Sequence, residues 1–405
     1  MSLSQANTGV LTSQCLLQGT FQGIGNGSSL EIAESEKILL QSKRDIDNHR
    51  QAFTWIFDSL SNLKQSGEMI SDINTVEAVG HRIVHGGERF SDSTLIDEKV
   101  LQEIEQLNDL APLHNPACVE GIHGTRSFLS DSIPMVAVFD TTFHHTLPVY
   151  AATYAIPHEL AERHHIRRYG FHGIAHASLA KSYAYHTGTD LNEHRLITMQ
   201  LGNGCSMTAI AFGKSVETSM GFTPSEGLMM GTRSGDLDPS IISYLAKMEQ
   251  VSVMGVRGWL NENSGLLGVS GRTHDMRRLL QAANHEQDTR AKLAIDMFCY
   301  RIRKYLGAYL AVLGGTDAIV FGGGIGEAAP QIRTQICEGM EWCGLRLNEE
   351  RNQLAVGLTP GSAAEISSDD ADIAAYVIGT DEESWIASET GRCLMNNQHT
   401  KRATA

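Results

Sequence analysis

The stretch that decides the fold runs from Leu196 to Pro239 and reads LITMQLGNGCSMTAIAFGKSVETSMGFTPSEGLMMGTRSGDLDP. Its first part predicts a β-hairpin, because an apolar run is broken by the turn Leu201–Gly204 and followed by a returning strand, Ser206–Phe212. Two glycines flank Asn203 in that turn, so the main chain can take unusual conformations and an anion can approach it closely.

A second glycine-rich loop lies further along the same stretch, from Gly227 to Gly235, and it carries a single guanidinium, that of Arg233. Arginine is always charged and can hold two phosphate oxygens at once. The loop therefore indicates a local phosphate or carboxylate site. The alternative is an ordinary hairpin and a loop with a surface arginine, which composition alone favours. The length of the glycine-rich segment and a further glycine run near residue 324 favour a site.

Composition narrows the class of protein. The chain has 405 residues, of which 41% are hydrophobic and 20% charged, as in globular proteins with two domains or one elaborated α/β unit. Its net charge of −15 argues against nonspecific binding to nucleic acid or to an anionic membrane. Seven scattered cysteines without a C-x-x-C pair fit a reducing compartment. No membrane-length apolar run and no signal peptide are recognisable, so we expect a cytoplasmic protein.

Two strands end in polar residues. Glu77–Gly87 predicts a strand that runs into a glycine turn and carries Arg82. Pro134–Phe139 is a continuous apolar run, typical of a strand buried on both faces, and Asp140 follows it directly. Ligands of α/β sheets bind at the carboxyl ends of strands, so Asp140 is a candidate site residue. The alternatives are an edge strand with solvated charges and a carboxylate that only caps a turn.

Histidines mark two further segments. Prolines bracket His114 and restrict the loop around it. His172 and His176 have the i, i+4 spacing of a helical metal site. Gly173 weakens such a helix and no third ligand is near, so we interpret His172 as a hydrogen-bond donor to an anion. His176 is interpreted as a histidine on the surface of a helix.

The C-terminal half predicts a nucleotide site. The buried strand Asp317–Phe321 ends in a glycine turn, Gly322–Glu327, and a helix is expected from Ala329 to Met340. Free N–H groups at such a helix start favour phosphate, although the lysine-bearing P-loop motif is absent. Ser264–Gly271 is predicted to be a loop, and Asp275 a helix N-cap.

The remaining C-terminal elements are two helices and a strand. A long helix is expected over Ala291–Leu313, a short strand over Ala374–Gly379, and a last helix over Ser384–Asn396. Two strand-plus-glycine modules, near residues 80–140 and 196–326, indicate two domains that face a cleft.

Together these motifs resemble the acetate kinase family, which includes propionate and butyrate kinases. The resemblance extends from about residue 45 to about residue 390, and its most specific run is MGFTPSEGLMMGTRSGD. The other matching segments are Gly80–Glu88, Ala111–Pro116, Val138–Thr141, Arg168–Gly173, Leu201–Gly204, Ser264–Gly271 and Gly324–Glu327.

This resemblance implies an α/β fold of the actin, Hsp70 and sugar-kinase type (ribonuclease H-like), with two domains and a central cleft. The N-terminal domain would comprise residues 1–142 with the C-terminal helix, 381–405, and the nucleotide-binding domain residues 143–380. The implied activity is reversible transfer of the ATP γ-phosphoryl to acetate, or to propionate, with Mg²⁺ and in a homodimer.

The resemblance also implies roles for individual residues. Arg82 and Arg233 would bind the carboxylate and the transferring phosphoryl, His172 would donate a hydrogen bond to that phosphoryl, and Asp140 would orient the site. His114 would lie at the carboxylate end. The acyl pocket would be formed by Val84, Leu113, Phe171 and Pro224. The ATP contacts would come from Gln200, Gly202, Asn203, Gly204, Asp275, Met276, Arg277, Gly323, Gly324, Ile325 and Gly326. Either Glu382 or Glu383 would serve the metal.

Four departures from the family pattern are visible. The opening strand with N-x-G-S-S-S is not recognisable, and Asn26–Ser29 is interpreted as a chance turn that no β run precedes. Gln200, Ile174-Ala175 and Ala328 replace a histidine, a Thr-Ser pair and an asparagine of the family. They favour, as an alternative, a catalytically impaired paralogue that binds nucleotide or acyl phosphate. A sugar kinase or an Hsp70-like module is a third reading, and the family-specific run counts against it.

Overall fold

A computed structural model describes residues 2–4, 12–25, 27–34, 37–63, 76–112, 114–130 and 132–403. The chain divides into two compact units, Met1–Thr142 with Glu382–Ala405, and Phe143–Asp381. The first unit is thus assembled from two separate stretches of chain, whereas the second is continuous. Nucleotide binding by the second unit stays a prediction.

Runs of consecutive strands and runs of consecutive helices follow one another along the chain. The strands are β1 (Ser2–Ser4), β2 (Thr12–Gln14), β3 (Gln18–Gln22), β4 (Ser28–Glu34), β5 (Lys37–Arg44), β6 (Val79–Ile83), β7 (Thr94–Leu95), β8 (Met135–Phe139), β9 (Arg195–Leu201), β10 (Cys205–Ala211), β11 (Lys214–Thr218), β12 (Ala318–Gly322), β13 (Ala363–Glu365) and β14 (Ala374–Ile378). The helices are α1 (His49–Leu63), α2 (Glu98–Gln106), α3 (Asn115–Arg126), α4 (Val149–Ala152), α5 (His158–Arg163), α6 (Gly173–Thr187), α7 (Ser240–Met248), α8 (Val253–Glu262), α9 (Gly265–Ser270), α10 (Met276–His285), α11 (Thr289–Leu313), α12 (Gly323–Ala328), α13 (Pro330–Cys337), α14 (Glu349–Leu354) and α15 (Glu382–Ala403).

The core of the first unit is organised around β8. Every residue of β8 is buried, as predicted for a strand covered on both faces. It pairs with β6 in parallel and with β7 in the antiparallel sense. The helix α15 packs closely on β6 at Gly80, where a β-carbon would lie 2.3 Å from Thr390 Oγ1. A side chain at residue 80 would therefore push α15 away from the sheet.

One six-stranded sheet organises the second unit, in the order β11-β10-β9-β12-β14-β13. Its centre, β9, β12 and β14, is parallel. The predicted hairpin is confirmed as β9 and β10, whose closing pair is Leu201 and Cys205. Their turn lies at the carboxyl end of β9, which is the end of a parallel sheet where ligands bind.

The long predicted helix is confirmed as α11. Asp288 caps its start by accepting hydrogen bonds from the N–H groups of Arg290 and Ala291. Gly314 ends it in the left-handed region, with φ 66°. The predicted last helix is also confirmed, and α15 begins two residues earlier than expected, at Glu382.

Two predicted turns are wrong. Ser264–Gly271, expected to be a loop, contains the short helix α9. The glycine run after β12, expected to be a turn, forms α12, and the next helix, α13, begins at Pro330. Tertiary contacts override the low helix propensity of glycine here, because Gly323 lies against the backbone of Leu201, with a β-carbon position only 2.7 Å from its oxygen.

The N-terminal region contains more strand than expected. Two short strands, β2 and β3, lie in the described residues before Asn26. The expectation that no β run precedes Asn26 is wrong, since β3 comes before that turn and pairs with β4. Asn26 itself lies outside the described residues.

None of the helices in the described part of the chain combines the length and the apolar character that crossing a bilayer requires.

Candidate active site

The register of the β6–β8 pair brings Arg82 and Asp140 together. Arg82 pairs with Val138 across the strands, and the Asp140 N–H donates to Ile83 O at 2.9 Å. The Arg82 guanidinium forms a salt bridge with Asp140 Oδ2. Its side chain is 41% exposed, whereas that of Asp140 is 1% exposed. The prediction that Asp140 ends a buried strand is confirmed, and the negative charge of Asp140 raises the pKa of Arg82.

A second carboxylate belongs to the same cluster. The pKa of Glu382, at the start of α15, is raised by burial and then by the negative charge of Asp140. Asp140 Oδ1 is buried and has no hydrogen-bond partner among the described residues. Glu382 is half-buried, whereas Glu383 is exposed. This cluster therefore offers a carboxylate oxygen and a nearby second carboxylate to a cation.

The turn after β6 is hydrogen-bonded to the start of α3. Asn115 accepts from the His85 N–H at 3.0 Å through Oδ1 and donates to His85 O at 3.1 Å through Nδ2. His114 precedes α3 as its N-cap residue and is half-buried, and Val84 is buried. Leu113, predicted to line the acyl pocket, lies outside the described residues.

In the second unit, the turn between β9 and β10 contacts the Arg233 loop. The Gly231 N–H donates to Asn203 O at 2.9 Å, and the Gly202 N–H to Gly204 O at 3.1 Å. A β-carbon at residue 231 would lie 2.0 Å from Asn203 Oδ1. The two glycine-rich segments therefore lie close together, and a side chain at residue 231 would displace the side chain of Asn203.

Three predicted site residues converge at this turn. A β-carbon at residue 204 would lie 3.2 Å from His172 Cε1, 3.3 Å from His172 Nε2 and 3.6 Å from Arg233 Nη1. Glycine at 204 therefore leaves a space that an imidazole and a guanidinium both border. His172 itself has φ 57°, a left-handed conformation that positions the residue immediately before α6.

Arg233 has an uncompensated charge. Its Nη1 donates to Pro224 O at 3.0 Å, and in the described part of the chain no carboxylate forms a salt bridge with it. Burial lowers its pKa. A guanidinium that is partly desolvated and lacks a counterion favours the binding of an anion.

The interpretation of His176 as a surface histidine is wrong. The side chain is fully buried, and burial holds its pKa well below 6.5. Its ring bonds Thr198 Oγ1 and Ser206 Oγ, each at 2.8 Å. Ser206 Oγ also contacts His172 Nδ1 at 2.8 Å. Sequence reasoning missed Ser206 and Thr198, although their alternation with apolar residues in β9 and β10 placed them on one face of the hairpin.

His144 is a further residue that the sequence analysis did not assign. It is buried, with Nε2 3.0 Å from Phe171 O and Nδ1 2.9 Å from Ser215 Oγ. Because a carbonyl only accepts, His144 Nε2 carries the hydrogen. This bond fixes the backbone of the residue before His172, so that the side chain of Phe171 stays buried.

The glycine helix α12 begins at the carboxyl end of β12. Glu327 Oε1 accepts from the Gly323 N–H at 2.8 Å and from Thr380 Oγ1 at 2.8 Å. Thr380 Oγ1 also lies 3.3 Å from Gln200 Oε1. These bonds tie Gln200 and Gly323 into one network, while no atom of the described residues lies within 4 Å of the position of a β-carbon at Gly324. The surface at Gly324 is thus open, with Ile325 and Gly326 following in the same short helix.

The predicted N-cap role of Asp275 is confirmed. Asp275 Oδ1 accepts from the Arg277 N–H at 2.9 Å at the start of α10, and Oδ2 forms a salt bridge with Arg277 Nη2 at 2.9 Å. Met276 is buried and begins the helix. Their contact with a nucleotide stays a prediction.

These features define the class of protein: an α/β chain whose strand ends and glycine turns present arginine, histidine and carboxylate groups, as phosphotransferases do. A family model described as the Acetokinase family matches residues 11–388. An acetate kinase of Solibacter usitatus is 48% identical over 356 residues, which cover 87% of this chain and 84% of that protein. The chain belongs to the acetokinase family.

Solved structures agree with this assignment. The crystal structure of Porphyromonas gingivalis acetate kinase matches with a TM-score of 0.87 at 38% identity, covering 95% of this chain and 96% of that chain. That of a propionate kinase from Francisella tularensis matches with a TM-score of 0.84 at 38% identity, covering 95% of each chain. The predicted fold class is confirmed.

Proposed function

We propose that this chain transfers the γ-phosphoryl of ATP reversibly to acetate, giving acetyl phosphate and ADP, with propionate as the alternative acyl substrate. The observation that carries the proposal is the convergence of His172 Nε2 and Arg233 Nη1 on the space left by Gly204. Membership in the acetokinase family supports it. Nothing in the comparisons favours a catalytically impaired paralogue.

Phosphoryl transfer needs positioned groups that stabilise charge on the three equatorial oxygens. Arg233 supplies an uncompensated positive charge, held in place by Pro224 O. His172 supplies a ring nitrogen on the same side of the Gly204 turn. In this proposal both groups bind the phosphoryl during transfer, and the N–H groups near Asn203 hold adjacent phosphate oxygens.

Groups for the carboxylate and its acyl chain are also part of the proposal. Arg82 would bind the carboxylate, and its half-exposed guanidinium is oriented by the buried Asp140. His114 would lie at the same end. Acyl length would be limited by Val84, Leu113, Phe171 and Pro224. A pocket of apolar side chains separates substrates that differ by one methylene by only about 1–3 kcal/mol, so both acetate and propionate fit the proposal.

The residues of the first unit fit a magnesium ion. Magnesium is commonly held by one or two carboxylates together with substrate phosphates and water. Asp140 Oδ1 is buried without a partner among the described residues, and Glu382 is close enough for Asp140 to raise its pKa. No group of three or more metal-ligating side chains occurs in the described part of the chain, which suits an ion completed by substrate and water. Glu382 and Asp140 would hold the ion, which would neutralise phosphate charge when bound.

ATP would be bound by the second unit. Gly323, Gly324, Ile325 and Gly326 form the start of α12. The Gly323 N–H donates to Glu327, and the N–H groups of the residues after it favour phosphate or ribose oxygens. Asp275, Met276 and Arg277 would contact the rest of the nucleotide, and Gln200 and Gly202 would complete the site.

The homodimer is also part of the proposal. The second unit exposes large apolar side chains on three helices: Ile241, Tyr244 and Met248 on α7, Val253 and Met254 on α8, and Leu293, Met297 and Tyr300 on α11. Exposed apolar surface of this extent is typical of association surfaces. A cytoplasmic location is proposed because all seven cysteines are free.

The test is ATP-dependent formation of acetyl phosphate, trapped with hydroxylamine, by the full chain and by Arg233→Ala. We expect product from the wild-type chain at a rate at least about 100-fold above that of the variant. Equal rates, in two proteins that have the same circular dichroism spectrum and bind ATP, would overturn the proposal.

The metal assignment has its own test. We expect Glu382→Gln to raise the magnesium concentration needed for half-maximal activity much more than Glu383→Gln, because Glu382 is half-buried near Asp140 and Arg82 whereas Glu383 is exposed. Calorimetric titration with MgATP provides a second readout. The reverse order of the two variants would move the metal role to Glu383.

A further inference from the structure

Four side chains of the second unit form a continuous hydrogen-bond chain. His172 Nδ1 lies 2.8 Å from Ser206 Oγ, Ser206 Oγ lies 2.8 Å from His176 Nε2, and His176 Nδ1 lies 2.8 Å from Thr198 Oγ1. We call this set, His172, Ser206, His176 and Thr198, the histidine relay. It begins at a proposed catalytic residue and ends inside the sheet.

All the relay members behind His172 are sealed from water. Thr198, His176 and Ser206 each have 0% exposure. Burial, with the neighbouring His144 and His172, keeps the pKa of His176 well below its usual value, so the ring is neutral. A neutral imidazole donates from one nitrogen and accepts at the other. All the hydrogen bonds of the relay therefore run in the same direction, because the donor or acceptor role of each group fixes the role of its neighbour.

Two directions are geometrically available. In the inward direction, His172 Nδ1 donates to Ser206, Ser206 donates to His176 Nε2, and His176 Nδ1 donates to Thr198. In the outward direction every hydrogen is reversed, and Thr198 is the first donor. The outward direction leaves Nδ1 of His172 as an acceptor, so the hydrogen of its neutral ring must be on Nε2.

Thr198 discriminates between these directions. In the described part of the chain its Oγ1 has a single hydrogen-bond partner, His176 Nδ1. If His176 were the donor, the hydroxyl hydrogen of Thr198 would be buried without an acceptor, which is unfavourable. If Thr198 is the donor, the hydrogens of Thr198, His176 and Ser206 that take part in the relay all have acceptors. The neighbouring His144 offers no alternative acceptor, because its Nε2 is committed to Phe171 O and its Nδ1 to Ser215.

We propose that Thr198 sets the direction of the histidine relay and thereby keeps the hydrogen of His172 on Nε2, the nitrogen that borders Gly204 and Arg233. The same direction opposes the imidazolium form, whose Nδ1–H would have to donate to Ser206. This inference rests on the function proposed above, in which His172 acts as a neutral hydrogen-bond donor to the transferring phosphoryl. Thr198, His176 and Ser206 are positioning residues that act through it.

The direct test is the tautomer of His172 in the full chain labelled with ¹⁵N-histidine. Correlation spectra of ring nitrogens and carbon-bound hydrogens distinguish the two neutral tautomers and the imidazolium, and His172→Gln assigns the signals. At neutral pH without ligand, we expect the Nε2–H tautomer for both His172 and His176. An Nδ1–H tautomer or an imidazolium at His172 would overturn the proposal.

Variants extend the test to catalysis. Thr198→Val is isosteric and removes the first donor, and we expect a mixture of His172 tautomers with kcat about five- to tenfold lower and unchanged KM values. Thr198→Ser should restore both. Thr208→Val is the matched control, because Thr208 is also fully buried, pairs with Thr198 across the strands and bonds Thr218 outside the relay. Equal losses in Thr198→Val and Thr208→Val, with an unchanged tautomer, would contradict the relay.

The two proposals fail differently. A chain with the Nε2–H tautomer but no acetyl phosphate formation would retain the relay and refute the proposed function. An active chain whose His172 carries its hydrogen on Nδ1 would refute the relay alone.

Discussion

Arg82 in the first unit and Arg233 in the second are both partly buried arginines, the first at the end of a strand and the second in a glycine-rich loop. They differ in whether a negatively charged group of the protein neutralises their charge. Arg82 forms a salt bridge with the buried Asp140, whose charge raises its pKa. Arg233 is held by a carbonyl, that of Pro224, and burial lowers its pKa. The first arginine has its counterion within the protein, whereas the second lacks one in the described part of the chain, which favours the binding of an anion.

The largest expected effect concerns Arg233. Arg233→Ala should lower kcat about 10²–10³-fold, because one well-placed donor to transition-state charge contributes that much in comparable sites. The hydroxylamine assay measures it. Arg346→Ala serves as the control, since Arg346 is half-exposed and paired with Asp370 at the surface. A loss of less than tenfold would mean that Arg233 does not contact the phosphoryl in the transition state.

In stability, the replacement of Arg82 is expected to have a larger effect than the replacement of Arg233. Arg82→Met should lower the free energy of unfolding by about 1–3 kcal/mol, since it leaves the carboxylate of Asp140 buried without its cation, while solvent near the half-exposed Arg82 softens the effect. Arg233→Met should leave stability unchanged or raise it. Urea unfolding of the three proteins measures both. Equal losses in the two variants would remove the distinction between the arginines.

A smaller effect tests the space that Arg233 borders. Gly204→Ala should lower kcat about three- to tenfold, because its β-carbon would come within 3.3 Å of His172 Nε2 and displace the ring slightly. Gly258→Ala in α8, where no atom lies within 4 Å of the new carbon, controls for the glycine substitution itself. Unchanged kcat in Gly204→Ala would show that His172 and Arg233 do not need this space.

A pH-dependent effect concerns the neighbour of Arg82. Burial, and then the charge of Arg126, lower the pKa of His81 to about 4. The unfolded chain, with a histidine pKa near 6.5, takes up this proton first, so the free energy of unfolding should fall as the pH drops from about 6.5 towards 4. At pH 5 the contribution of His81 should be about 1–2 kcal/mol. Urea unfolding at pH 7 and pH 5 should show a smaller difference for His81→Gln than for the wild type.

Local sequence rules predicted the parts of the site that depend on strand ends and turns. The continuous apolar run before Asp140 is typical of a buried strand and was predicted as one, which β8 confirms. The register that brings Arg82 next to Asp140 was not predictable and is seen only in the structure. The glycines around Asn203 likewise identified the hairpin turn. These features succeed because period and turn chemistry are properties of a few consecutive residues.

Features that depend on packing were not predictable in this way. The segment with His176 is rich in small residues that do not distinguish the faces of α6, so its burial was not visible. The glycine helix α12 contradicts local propensity and depends on Leu201 and on Glu327, which bonds back to Gly323. The alternation of Ser206 and Thr198 with apolar residues placed them on one face of the hairpin, but it did not show that this face is buried, since serine and threonine are common in exposed strands too.

The close fit of α15 on Gly80 has a consequence for biosynthesis. The ribosome makes β6 early, but Thr390, which covers it, emerges only after the whole of Phe143–Asp381. During translation the continuous second unit can fold as soon as it leaves the exit tunnel. The sheet formed by β6, β8 and β7 in the first unit keeps one face uncovered until α15 is made. Nascent chains stalled before residue 382 should therefore present this face to chaperones, and released chains should not.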